Sequence, residues 1–209
     1  MTLLIVRDLA AAYDGRTVFS DIDLDLDPGA YALTGGNGTG KSTLLRLLGG
    51  AQRPAAGTVS IDGHDLVRDP IEARLRLGYV PDESPAYPFM SGAELLHLVQ
   101  TAKRAGDDPV VERLIADFSL APQLGARFDA ISLGTQKKLL LAAGWIGHPR
   151  VILLDEPSNA LDAAARAALV ARIRADAAGA VILLASHDAE FVADTGATIL
   201  PLEIPAAAA

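Results

Sequence analysis

Apolar residues alternate with aspartates in "DIDLDLD", with Ile22, Leu24 and Leu26 on one side and Asp21, Asp23 and Asp25 on the other. That period of two predicts a half-buried strand with a solvated acidic face. Leu3–Leu9 is also β-like, Asp27-Pro28-Gly29 is turn chemistry, and Tyr31–Thr34 reads as a short strand. "LLRLL" after Lys41 predicts a helix, "GTVSIDG" a strand closing on an Asp-Gly turn, and Leu77–Val80 a further strand. From Ser91 to about Ala130 the period turns helical. Ser91 and Glu94 have the spacing of a capping box, and Leu95, Leu98 and Val99 share one face. A helix from about Leu133 follows, then strands at Val151–Leu154, Val181–Ala185 and Thr198–Leu200, separated by helices at about Asp162–Ala177 and Asp188–Val192. Strand alternating with helix predicts an α/β fold, a mostly parallel sheet with helices on its faces.

Composition narrows the class without naming it. At 209 residues the chain fits one domain with room for an inserted subdomain, and its 50% hydrophobic content excludes a disordered or fibrous reading. A net charge of -8 argues against nucleic acid as a partner, whose usual footprint is a basic stripe. With no cysteine, disulfides and thiolate metal sites are excluded. No apolar run reaches bilayer-spanning length, and the N-terminus lacks the basic start and long apolar core of a secretory signal. The expected location is the cytoplasm, with any membrane role arising through a partner.

The candidate chemistry lies in three short runs. "GGNGTGKST" (Gly35, Gly36, Asn37, Gly38, Thr39, Gly40, Lys41, Ser42, Thr43) fits G-x-x-x-x-G-K-[ST] between a β-like run and a helical one. Such glycines let backbone N–H groups converge on phosphates, the lysine reaches the β- and γ-phosphates, and the serine hydroxyl binds Mg²⁺. "VILLDEP" puts Asp155 and Glu156 at the carboxyl end of a buried strand, where ligands bind in open α/β sheets. Asp155 is expected to hold Mg²⁺ through water and Glu156 to polarise an attacking water. His187 follows "VILLAS", at the carboxyl end of another strand, and is expected to sense the γ-phosphate and hold that water.

With these runs in order, the sequence resembles the nucleotide-binding domain of ATP-binding cassette proteins over essentially its whole length. Tyr13 stands where the family places an aromatic that stacks on adenine. "LGYVPDES" resembles the glutamine loop, "ISLGTQKK" the family signature, "SNALD" the D-loop, and His187 the switch histidine. The resemblance implies a P-loop core with an N-terminal antiparallel β portion, formed by 1–84 and 131–209, and an inserted helical subdomain at 85–130. It also implies that two domains pack head to tail, with Ser132 and Gly134 of one chain facing the γ-phosphate held by the other. Two positions depart from the family. Leu133 fills the first signature glycine, and Asp82 occupies the glutamine position (Glu83 with a shift of one). An acid there can coordinate Mg²⁺ directly or through water, but it adds negative charge near the γ-phosphate.

The function expected from this is the ATP-binding, ATP-hydrolysing subunit of a transporter. It would pair with a second copy or a related subunit and drive a separate transmembrane permease from the inner face of the membrane. The "SLGT" variant, the short chain and the acid at the glutamine position point to export. The alternatives are a soluble cassette ATPase of translation or DNA maintenance, and a module that binds ATP without turnover. Prolines 81, 85 and 88 keep "DESPAYPFMSG" out of helix and central strand. Its Tyr87, Phe89 and Met90 would either pin the helical subdomain to the core or line a cleft for the membrane partner.

Overall fold

A computed structural model describes residues 1–13, 16–36, 38–84 and 87–202, with the side chains of residues 13 and 16 outside that description. β1 (Leu4–Tyr13) pairs antiparallel with β2 (Arg16–Leu26), and on its other edge with β4 (Ala56–Ile61). The short β5 (His64–Asp65) extends this sheet to the order β2-β1-β4-β5. Its aspartate alternation behaves as the sequence predicts: Asp21, Asp23 and Asp25 are exposed, Ile22 and Leu24 half-buried and Leu26 buried.

The second sheet positions the site. It contains β3 (Gly29–Thr34), β6 (Leu77–Val80), β7 (Val151–Asp155), β8 (Val181–Ala185) and β9 (Thr198–Pro201), all parallel, in the order β6-β7-β8-β3-β9. β7 and β8 are buried at every residue, which their unbroken apolar runs require in a sheet covered on both faces. Alternate residues feed two cores. Leu153 and Leu183 pack with α1 (Lys41–Leu48) and the antiparallel sheet, whereas Ile152, Leu154, Ile182 and Leu184 pack with helices on the opposite face.

Those helices include α3 (Gly92–Ala102), α4 (Pro109–Asp117) and α5 (Leu133–Gly144). The capping box at α3 forms in both directions: Glu94 N–H donates to Ser91 Oγ at 3.2 Å, and Ser91 N–H donates to Glu94 Oε2 at 2.8 Å. Leu95 is buried there, but Leu98 is 54% exposed, so the predicted apolar face is only partly covered. α6 (Ala163–Asp176) and α7 (Ala189–Thr195) complete the fold, and α2 (Pro70–Leu75) is a helix the periodicity did not predict. Among the described residues of 87–130, pairing is confined to one isolated bridge, Ser91 with Arg127.

α5 lies so close to β6 that their backbones nearly touch. A Cβ on Gly78 would sit 2.1 Å from the Gly144 carbonyl oxygen, and one on Gly144 would sit 2.4 Å from Val80 Cγ2. Gly78→Ala is therefore expected to push α5 off the sheet, at an overpacking cost of about 1–3 kcal/mol. Thermal melting should show it as a fall on the order of 5 °C. An unchanged melting temperature would mean that the two backbones part without cost.

Candidate functional site

β3 runs directly into the glycine loop, and the loop into α1. Gly40 caps α1 with φ 83 and Gly38 has φ 77, left-handed conformations that favour glycine. Gly40 supplies no side-chain cap, so the first-turn N–H groups of α1 are open to an anion. Lys41 Nζ donates to the carbonyls of Gly35 at 2.8 Å and Gly36 at 2.9 Å, which folds its ammonium over the loop. Thr39 Oγ1 donates to the Gly36 carbonyl at 2.8 Å, bracing the turn, and Thr43 is buried. A cavity of about 420 Å³ opens over this loop, lined by residues 38–43, Arg46, Val18 and Glu156. Asn37 and the Tyr13 side chain lie outside the described residues.

The strand ends bring the remaining groups to the loop. Ser42 Oγ donates to Asp155 Oδ1 at 3.1 Å, joining residues 113 positions apart. Burial pushes the Asp155 carboxyl up, and the Ser42 hydrogen bond opposes this; the charges of Asp82 and Glu156 add to the upward push. Glu156 takes a left-handed φ of 43, uncommon for a residue with a side chain, as the chain turns out of β7. Its Oε2 meets His187 Nδ1 at 2.9 Å and accepts the His187 backbone N–H at 3.3 Å. The side-chain hydrogen bond holds the His187 pKa above its ordinary 6.5.

Asp82 lies on the wall of an adjoining cavity of about 360 Å³, with Ser42, Arg46, Tyr79, Pro81, Glu83 and Asp155. Its carboxylate accepts a hydrogen bond from Asn159 Nδ2 at 3.1 Å and stands 3.7 Å from Lys137 Nζ. Neither Lys137 nor Asn159 was singled out from the sequence. Lys137 sits in "GTQKK", at the start of α5, and is 4% exposed.

Ser132 caps α5, its Oγ accepting the Thr135 N–H at 3.2 Å, and Leu133 beside it is 73% exposed. Gly134 is pressed against the turn after β7, where a Cβ would meet the Ala160 carbonyl oxygen at 2.5 Å. Among the described residues, none of 131–136 lines the cavity over the phosphate loop. In the segment before α3, Tyr87 and Phe89 are 63% and 64% exposed and stack at 5.4 Å, so only the half-buried Met90 packs against the core. The larger apolar cavity is elsewhere: about 660 Å³ between α2, β6 and α3, lined by Ile71, Leu75, Leu77, Leu98 and Ala102 among others.

A glycine loop feeding an open helix N-terminus, at the carboxyl edge of a parallel sheet beside a partly buried Ser–Asp contact, defines a P-loop nucleotide-binding fold. Similarity to known proteins carries this one step further. The ABC transporter family pattern matches residues 19–159, and the chain belongs to that family. The chain is 35% identical, over 92% of its length and 82% of the relative's, to the nickel import ATP-binding protein NikO of Rhodobacter capsulatus. It is 33% identical to the Fe(3+) ions import ATP-binding protein FbpC of Pseudomonas fluorescens, over 90% of this chain and 55% of that one. With the Nod factor export ATP-binding protein I of Cupriavidus metallidurans the identity is 32%, over 88% of this chain and 63% of the relative. The chain thus spans less than two thirds of the length of those last two relatives. A solved structure described as the ATP-binding subunit of an ABC transporter superimposes with a TM-score of 0.88 at 30% identity, over 97% of this chain and 86% of the other.

Proposed function

We propose that this chain binds Mg-ATP and hydrolyses it to ADP and phosphate, as half of a head-to-tail pair that drives a membrane permease. The observation that carries the proposal is the meeting of Ser42 with Asp155 and of Glu156 with His187 beside the open start of α1. Residues 35–43 cradle the phosphates, and Lys41 leaves its loop carbonyls to meet the β- and γ-phosphates. The Ser42 hydroxyl and Asp155 carboxylate are hard oxygen donors of the kind Mg²⁺ takes alongside substrate phosphates and water. The carboxylates of Asp82 and Glu156 lie near Asp155 and push its pKa up, with Lys137 opposing them, and a cation at Asp155 would relieve that repulsion. Among the described residues no group of three or more His, Cys, Asp or Glu is placed to hold a metal ion. When bound, Mg²⁺ offsets the charge that builds on the phosphate oxygens.

Glu156 accepts a proton from the attacking water as the new P–O bond forms and the bond to ADP breaks. His187, fixed by Glu156, faces the γ-phosphate. Ser132 and Gly134 complete the site of the second copy or related subunit, and Tyr13 stacks on adenine. Residues 85–130 act as the helical subdomain that meets the permease, with exposed Tyr87 and Phe89 on the contact side. The chain works in the cytoplasm at the inner face of the membrane, and no described helix is long and apolar enough to cross it. Export is the finer reading, resting on "SLGT" and Asp82; named relatives include both import and export proteins. The test is phosphate release from ATP by the purified chain with and without Mg²⁺, beside Lys41→Ala. Mg²⁺-dependent release that Lys41→Ala abolishes is expected. ATP binding without any release would leave a binding-only module instead.

A further inference from the structure

Lys137 is a buried cation that the proposed reaction does not use. Its Nζ donates to the carbonyls of Asp155 at 2.9 Å, Pro81 at 3.1 Å and Asp82 at 3.5 Å. Three acceptors take three N–H groups, and only the ammonium form has three. The same ammonium lies 3.7 Å from Asp82 Oδ1, the oxygen that accepts from Asn159. One lysine of α5 thus ties together the ends of β6 and β7, while Asn159, on the turn after β7, donates to the same Asp82 oxygen.

Asp82 stands between two cavities. One, of about 360 Å³, contains Ser42 and Asp155; the other, of about 480 Å³, contains Leu133, Gln136, Lys137 and Asn159. Among the described residues, Lys137 and Asn159, which both meet the carboxylate, belong to the second cavity. Without them, an acid that is 45% exposed would be free to turn toward the first, where phosphate oxygens would meet a like charge. We propose that Lys137 is a positioning residue that, with Asn159, holds the Asp82 carboxylate on α5 and away from the nucleotide's phosphates. The inference rests on the ATP site proposed above. It gives the acid at position 82 a role set by α5, so that movement of α5 changes the charge the phosphates meet.

The experiment measures binding of a fluorescent ATP analogue to the full chain in EDTA and in Mg²⁺, with thermal melting of each variant. Lys137→Gln keeps a donor for the carbonyls but removes the charge. It is expected to weaken binding in EDTA on the order of tenfold, with a larger recovery on adding Mg²⁺ than the unaltered protein shows. In an Asp82→Asn background the same change should cost less than about threefold, because the repelling charge is gone. Lys137→Arg, which keeps cation and donors, should restore most of the binding. Equal losses in both backgrounds would mean that Lys137 acts through its own charge, and no loss would mean that it only fills space; either overturns the proposal. If Lys137→Gln does not fold, Asn159→Ala on the turn gives the parallel test: weaker binding in EDTA that Asp82→Asn cancels supports the proposal, and unchanged binding overturns it. Failure of the unaltered protein to bind the analogue would instead defeat the ATP site itself.

Discussion

Glu156→Gln is expected to keep ATP binding and lose turnover on the order of 10²–10⁴-fold, the contribution of a positioned base. The amide preserves the size of the side chain, so the left-handed turn at Glu156 and its N–H bond to the Ala185 carbonyl at 2.8 Å should survive. Only proton acceptance is removed, and with it one negative charge beside the phosphates. His187 supplies a second readout that needs no nucleotide. Its pKa is raised first by the hydrogen bond to Glu156 and next by that carboxylate's charge. In the Glu156→Gln variant the imidazole titration, followed by NMR, should move down toward 6.5. The sign also fixes a pH dependence. A histidine whose folded pKa is raised contributes stability that is complete below its unfolded value and lost as the pH climbs through the raised one. The difference in stability between the two proteins should therefore shrink from near neutrality upward. Wild-type turnover in the variant would remove Glu156 from the role of base; an unmoved His187 titration would show that the 2.9 Å contact does not persist in solution.

The parts of this site that were legible in the sequence are those written in adjacent residues. The glycine loop carries its geometry in its spacing, and β7 and β8 announce themselves as apolar runs because both faces are covered. The capping box at Ser91 and the β2 alternation were equally local. What escaped was built from distant residues. Lys137 meets Pro81 across 56 positions and Asp155 across 18, while Asn159 meets Asp82 across 77, and nothing in "GTQKK" marks one lysine for burial. α2 did leave a sign, since Pro70 at its first turn is a helix-start residue, but six residues are too few for a periodic pattern. Tyr87 and Phe89 show the converse: their apolar character fits either packing against the core or a contact surface, and sequence alone does not choose, whereas the structure stacks them in solvent.

The second large effect concerns the pairing of chains. In the Glu156→Gln background, ATP is expected to trap a dimer visible by light scattering, and Ser132→Arg should abolish it without weakening ATP binding to the monomer. The motive lies in the geometry. Ser132 caps an exposed helix start that lines no part of the phosphate-loop cavity of its own chain, so an anion it receives must come from elsewhere. Arginine cannot accept the Thr135 N–H, and the lost cap costs about 1 kcal/mol, which alone would not dissociate a nucleotide-bridged pair. Ser132→Asp separates the two effects. Aspartate caps as well as serine, and suits the helix dipole, so α5 should be at least as stable as before. It would nevertheless set a carboxylate against the partner's γ-phosphate. The expected result is a protein that melts no lower than the parent, binds ATP as a monomer and fails to dimerise. A dimer that persists in the Ser132→Asp variant would place the second chain's contact elsewhere. Loss of ATP binding by the monomer would mean that Ser132 serves the nucleotide of its own chain.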